Sequence, residues 1–229
     1  MNVKRYARIA GVLFLISLVA GGFGEAYVPS RIIVSNDAAA TIANVRNLEF
    51  LYRLGFAAFL IESLCDITLA LILYALLKPV NPYLSLLAAF FGLMATATFA
   101  CAELIYFAPL VIIKGTGYLN TFTPDQINAL VLLTLKFSAT AGMITTAYYG
   151  MGWLMRSYLM FYSGYLPKFL GVLMAIGGLG FVLRNFLLIL APAYASDVFL
   201  MLMMPGGFIM TGWFLVKGVN VPKWNARAV

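Results

Sequence analysis

EFLYRLGFAAFLIESLCDITLALILYALLKPVNP, residues 49–82, is long and apolar enough to cross a bilayer, yet it carries Glu62 and Asp66 in its interior. A span needs roughly 20 predominantly apolar residues. An ionisable side chain at membrane depth costs about 3 kcal/mol or more, so its presence marks a functional or pairing role. Glu62 and Asp66 are four residues apart, which puts both carboxyls on one face of a helix. Two carboxyls on one face call for protons, cations or water beside them.

The surroundings of this stretch have the same character. Of 229 residues, 63% are hydrophobic and only 10% charged, and the mean hydropathy is +0.96. Soluble domains carry roughly 25% charged residues, so the chain reads as an integral membrane protein, a single polytopic domain over residues 1–229. The net charge of +7 does not imply nucleic acid, because the basic residues sit mostly in short flanks of apolar runs, where they set orientation. The first apolar run has no small-residue cleavage site and reads as a retained helix. The chain has no histidine, which excludes His-ligated haem, His-containing zinc sites and Ser-His or Cys-His nucleophile pairs. Cys65 and Cys101 both fall in apolar runs and read as small packing residues. No cofactor or metal is expected.

In chain order, helix 1 is predicted over about Ile9–Gly24, ending in the Gly-rich tail. A polar segment, Glu25–Arg46, follows. Ser35-Asn36-Asp37 reads as a helix N-cap, and Ile42, Val45 and Leu48 recur at helical spacing. This predicts an extramembrane helix leading straight into helix 2, with Glu49 and Arg53 as an i,i+4 pair at the entry. Helix 2 covers about Leu54–Leu77. Asn81-Pro82 starts helix 3, which runs to about Ile113. Thr123-Pro-Asp-Gln126 is a capping box for helix 4, which runs to about Met155. Arg156–Lys168 reads as a basic, Tyr-rich turn. Helix 5 runs from Pro167 to about Leu190, and helix 6 from the Ser196 cap to Lys217, interrupted by Pro205-Gly206-Gly207. The fold class is therefore all-α, with six transmembrane helices.

Orientation follows from lysine and arginine. Lys4, Arg5, Arg8, Lys78, Arg156, Lys168, Lys217, Lys223 and Arg227 fall on the side of the two termini, against Arg31, Arg46, Arg53 and Lys114 on the other. Both termini are expected to be cytoplasmic, in the cytoplasmic membrane of a bacterium. Glu25, Asp37, Glu49, Asp125 and Asp197 then fall outside. At a rise of about 1.5 Å per residue, Glu62, Glu103, Lys136 and Arg184 lie at similar depth on four different helices, with Asp66 one turn deeper.

These five residues are the candidate ligand-binding set. One reading makes them buried ion pairs that fix helix register, which need not stabilise the fold. Another makes them an outward-facing polar cavity for a small or lipophilic ligand or an ion. The interrupted helix 6 favours the second, since freed backbone groups at membrane depth are tolerated where they line a cavity. A third makes Glu62 and Asp66 an acid–base pair of an intramembrane enzyme. The aromatic run Tyr148, Tyr149, Trp153, Tyr158, Phe161, Tyr162, Tyr165, with Trp213 and Trp224, reads as an interface belt. Gly171, Gly177, Gly178 and Gly180 mark close helix approach.

The phrases Leu51-Tyr-Arg-Leu-Gly55, Asp66-Ile-Thr-Leu-Ala-Leu71, Tyr74-Ala-Leu-Leu-Lys-Pro-Val-Asn81, Ser163-Gly-Tyr-Leu-Pro-Lys168 and Val216-Lys-Gly-Val-Asn220, in this order, resemble the bacterial membrane family catalogued as domain of unknown function 4386. The resemblance covers nearly the whole chain and implies its architecture rather than a chemistry. Glu49, Arg53, Asp66 and Lys136 match the family pattern. Histidines that members often carry near Ser138 and Gly152, and a glutamate near Gly207, are replaced here.

The expectation is a binding or transport-accessory protein with an outward-facing polar cavity. The alternatives are a structural subunit of a larger membrane complex and an intramembrane enzyme. Expected partners are the lipid bilayer, a lipophilic or small-molecule ligand, and a membrane-protein partner or a second copy of the chain, with no nucleic acid.

Overall fold

The computed structural model describes residues 2–35, 37–115, 117, 119–196 and 198–228, with the backbone alone for Leu200 and Met203. The expected cap at Asn36 and the acidic residue at Asp197 lie outside the described residues.

Helices account for all the regular structure among the described residues. Five stretches are long and apolar enough to cross a membrane: Val3–Ile32, Glu49–Leu77, Pro82–Lys114, Pro124–Ser163 and Lys168–Leu190, with a shorter apolar helix at Met204–Val216. The protein is thus an all-helical, multi-pass type of chain.

The first span is longer than its sequence suggests. Helix α1, Val3–Gly21, does not stop in the Gly-rich tail but widens into a π turn, Gly22–Tyr27, and continues as α2, Val28–Ile32. The Val28 N–H donates to Phe23 O, the i→i−5 bond of a π turn. Pro29 supplies a physical reason: it has no N–H to give the carbonyl four residues earlier, and its ring would collide with that carbonyl in an α-helix. Glu25, expected outside in a polar loop, therefore lies within a continuous helical span.

Helix α3, Ala38–Asn47, is capped by Asp37, whose Oδ1 accepts from the Ala40 N–H at 2.8 Å. It does not run straight into the next helix. Leu48, at φ −113° and ψ 30°, breaks the path, and α4, Glu49–Leu77, starts five residues earlier than expected. Helix α5, Pro82–Lys114, opens as predicted, with Asn81 Oδ1 accepting from the Leu84 N–H at 2.9 Å. Helix α6, Pro124–Ser163, opens on the predicted capping box: Thr123 Oγ1 accepts from the Gln126 N–H at 3.3 Å and Gln126 Oε1 from the Thr123 N–H at 2.8 Å.

At its other end α6 overruns expectation by two turns. The segment read as a basic turn after Met155 remains helical to Ser163, and Gly164, at φ 75°, ends it in the left-handed conformation that glycine adopts without penalty. Arg156 is consequently inside the bundle, only 6% exposed. Helix α7 is Lys168–Leu190. The sixth expected helix is split into α8, Val198–Met201, and α9, Met203–Val216. The split falls at Leu202, and Pro205-Gly206-Gly207 stays helical. A Cβ on Gly206 would lie 3.2 Å from Leu173 O, so this segment serves close packing on α7 rather than an opening. A terminal helix, α10 at Val221–Ala228, was not foreseen.

The long helices form a closed ring, in which α1 packs on α4, α4 on α5, α5 on α6, α6 on α7, α7 on α9 and α9 back on α1. Glycines set the closest approaches. A Cβ on Gly11 would lie 2.7 Å from the Leu215 backbone N, one on Gly178 3.0 Å from Gly150 O, and one on Gly171 2.7 Å from Ser157 O.

Two apolar cores fill the ring. One, at the end carrying both termini, gathers Val3, Phe14, Leu73, Leu76, Trp153, Met160, Tyr165, Phe214 and Trp224. Trp153, Tyr165 and Trp224 are therefore core residues rather than an interface belt, whereas Tyr158 and Tyr162 are exposed. The Leu76 carbonyl, one of the orphan acceptors at the end of α4, takes hydrogen bonds from Tyr165 Oη at 2.8 Å and Trp224 Nε1 at 2.9 Å. The other core, at the opposite end, gathers Val28, Ile32, Ile42, Val45, Tyr52, Phe59, Tyr106 and Leu135.

Candidate functional site

Glu62 and Asp66 follow Phe59 on α4 at i+3 and i+7, so the three share one face of that helix. Phe99, Glu103 and Tyr106 do the same on α5 at i, i+4 and i+7. The π turn brings Glu25 to the same place. Glu62 interacts electrostatically with Glu25, Asp66 and Glu103, and Glu25 also interacts with Glu103 and Asp66.

Gly21 makes room for this arrangement. A Cβ there would lie 2.8 Å from Glu62 Oε1 and 3.0 Å from Oε2, so the carboxyl rests on bare backbone. Three residues on, a Cβ at Gly24 would lie 2.9 Å from Phe59 Cε1 and 3.2 Å from Gly55 O. Glu62 and Glu103 are half-buried, and each holds one buried carboxyl oxygen with no hydrogen-bond partner. Glu25 is exposed, which leaves the group open at the protein surface.

Asp66 lies deeper. It accepts a hydrogen bond from Ser17 Oγ at 3.1 Å. It also lines a small cavity with Phe14, Thr96, Tyr149 and Arg156. The room for water centres there is about 10 Å³, enough for roughly one water molecule. Arg156 reaches this cavity over Gly92, where a Cβ would lie 2.6 Å from Nη2, and donates from Nη2 to Ala88 O at 3.2 Å. Asp66 and the Arg156 guanidinium thus share a small cavity of mixed lining, with Leu69, Ala70 and Leu73 among its apolar residues.

Of the five residues the sequence singled out, three converge: Glu62, Asp66 and Glu103. Lys136 is exposed on α6, and Arg184 is half-buried on α7. The two ion pairs between described residues are both on Glu49, with Arg53 at 2.8 Å and Lys114 at 2.5 Å, so the expected i,i+4 pair also ties the start of α4 to the end of α5. Glu25 and Arg156 were missed. The signal for Glu25 is Pro29, four residues on. The signal for Arg156 is the helical recurrence of Gly152, Arg156, Ser163 through an otherwise apolar and aromatic run.

The architecture is that of a helical, multi-pass chain. The family described as domain of unknown function (DUF4386) matches residues 9–218, and the chain belongs to that family. No curated protein and no solved structure matches it.

Proposed function

We propose that the protein spans the cytoplasmic membrane of a bacterium six times with both termini inside, and that it is a binding or transport-accessory protein holding a small ligand or ion in an outward-facing polar site. The sixth crossing in this reading is α8 with α9, and the basic flanks set the orientation. The site is Glu25, Glu62, Asp66 and Glu103. The observation that carries the reading is the pair of buried, unpartnered oxygens, Glu62 Oε2 and Glu103 Oε2. Buried polar groups are nearly always satisfied, and a native exception calls for a partner that supplies the missing contact. A group of carboxyls in a low-dielectric setting also calls for positive charge. Lys136 and Arg184, which share the estimated depth, belong to the rim of the same layer in this reading.

Single cysteines introduced into a Cys65→Ala/Cys101→Ala background test it. With a membrane-impermeant maleimide on intact cells, Glu25→Cys and Thr121→Cys should react, and Lys168→Cys should react only after lysis. Equal reaction of Thr121→Cys and Lys168→Cys in intact cells would refute the topology. Failure of Glu25→Cys to react where Thr121→Cys does would refute the outward opening.

A further inference from the structure

The carboxyl group does not stand alone. Phe59 meets Phe99 edge-on, with centroids 5.7 Å apart and planes at 89°, and meets Tyr106 the same way at 5.7 Å and 88°. Tyr52 stacks on Tyr106 at 4.9 Å, and its hydroxyl donates to the Tyr106 carbonyl. These rings are interleaved with the acids, because Phe59 shares the α4 face of Glu62 and Phe99 and Tyr106 flank Glu103 on α5. The Phe59 ring also lies on Gly24, one residue from Glu25. Tyr106 is 6% exposed, yet its hydroxyl has no hydrogen-bond partner and is in electrostatic range of Glu103. A tyrosine hydroxyl this buried ordinarily finds a partner.

An inorganic divalent ion needs oxygen ligands converging at about 2.0–2.6 Å. Among the described residues no three acidic, cysteine or histidine side chains converge closely enough to hold a metal ion. A larger cation that spreads its charge over apolar substituents has different needs: anions at longer range, ring faces around it, and one hydroxyl for an N–H if it carries one.

Building on the outward-facing site proposed above, we propose that its ligand is a lipophilic organic cation, a quaternary onium ion or a protonated amine, held by Glu25, Glu62 and Glu103 and walled by Phe59, Phe99 and Tyr106. The carboxyls supply the charge, the rings supply the apolar and cation–π contact, and the Tyr106 hydroxyl accepts from the N–H of a ligand that is a protonated amine.

Equilibrium dialysis of the full chain in maltoside micelles tests this with radiolabelled tetraphenylphosphonium, which has no N–H, and decylammonium, which has three. Both should bind saturably, and uncharged triphenylphosphine oxide should not compete. Glu62→Gln and Glu103→Gln should each weaken both by about tenfold or more, and Phe59→Leu should weaken tetraphenylphosphonium by a similar factor. Tyr106→Phe should weaken decylammonium alone. Glu25→Gln, at an exposed position, gives a charge-deleted variant that folds even if the buried substitutions do not, and it should weaken both probes. Absence of saturable binding, binding that survives Glu25→Gln and Glu62→Gln unchanged, or equal competition by triphenylphosphine oxide would overturn the inference. Reaction of Glu25→Cys from outside together with no cation binding would overturn the inference and leave the outward-facing site standing. Lack of that reaction removes the site itself.

Discussion

Alanine at Gly11 and alanine at Gly21 add the same methyl group to one helix, with different expected consequences. At Gly11 the new Cβ would sit 2.7 Å from the Leu215 backbone N and 3.0 Å from the Phe214 carbonyl carbon. Ordinary Cβ contacts begin at 3.4 Å, so α1 and α9 must separate by about 0.7 Å. Backbone cannot swing aside, and overpacking of this kind costs about 1–3 kcal/mol. The gain from replacing glycine by alanine in a helix offsets at most about 1 kcal/mol of this. Gly11→Ala should therefore lose about 1–2 kcal/mol. At Gly21 the atoms in the way are Glu62 Oε1 at 2.8 Å and Oε2 at 3.0 Å, the far end of a flexible side chain. Turning that side chain off its rotamer costs about 0.5–1.5 kcal/mol, which the same helix gain nearly cancels. Gly21→Ala should be within about 0.5 kcal/mol of the parent. Reversible unfolding in mixed micelles, followed by circular dichroism, measures both. Equal destabilisation of the two variants would show that the Glu62 carboxyl is fixed in place rather than resting on Gly21, and the reasoning would fail.

Two further outcomes are expected. Tyr165→Phe and Trp224→Phe each remove one of two donors to the Leu76 carbonyl, so each should cost about 0.5–1.5 kcal/mol. The double variant should cost more than their sum, because it leaves a buried carbonyl with neither donor; strict additivity in the same unfolding assay would count against a shared acceptor. Arg156→Met leaves Asp66 without the guanidinium across the cavity, whereas Asp66→Asn/Arg156→Met removes both charges. The double variant should be more stable than the two single losses predict, by about 1–2 kcal/mol, and a coupling near zero would mean that the two groups do not sense each other across the cavity.

What could be read from the sequence followed the strength of the local signal. Glu62, Asp66 and Glu103 stand out because each interrupts an apolar run, and the caps at Thr123 and Asn81 were legible because their chemistry is contained within four residues. Depth along a helix was also accessible, since the rise per residue is fixed. Direction around the helix axis was not, so Lys136 and Arg184 could be assigned to a layer without being assigned to a face. Glu25 was lost because the Gly-rich tail read as the end of the first helix, although a π turn carries the chain through Gly22 and Gly24. Arg156 was lost because basic and aromatic residues read as a membrane edge, and only the packing of α6 against α5 over Gly92 shows that the helix continues with the guanidinium inside.

The π turn at Gly22–Tyr27 also constrains how the chain can change length. It holds more residues per turn than an α-helix, and removing one would let the segment relax to α-helical winding. The wider turn already takes up that extra residue, so the two halves of the span would keep nearly the same mutual phase. On one side of the turn, Ser17 meets Asp66 and Gly21 meets Glu62; on the other, Val28 packs against Gly55. A deletion inside α1, where no wide turn can close, would instead rotate the halves by about 100°, and a single rotation cannot preserve both sets. The π turn is therefore where the span can lose one residue, other than Glu25, and still keep the halves of the site facing each other.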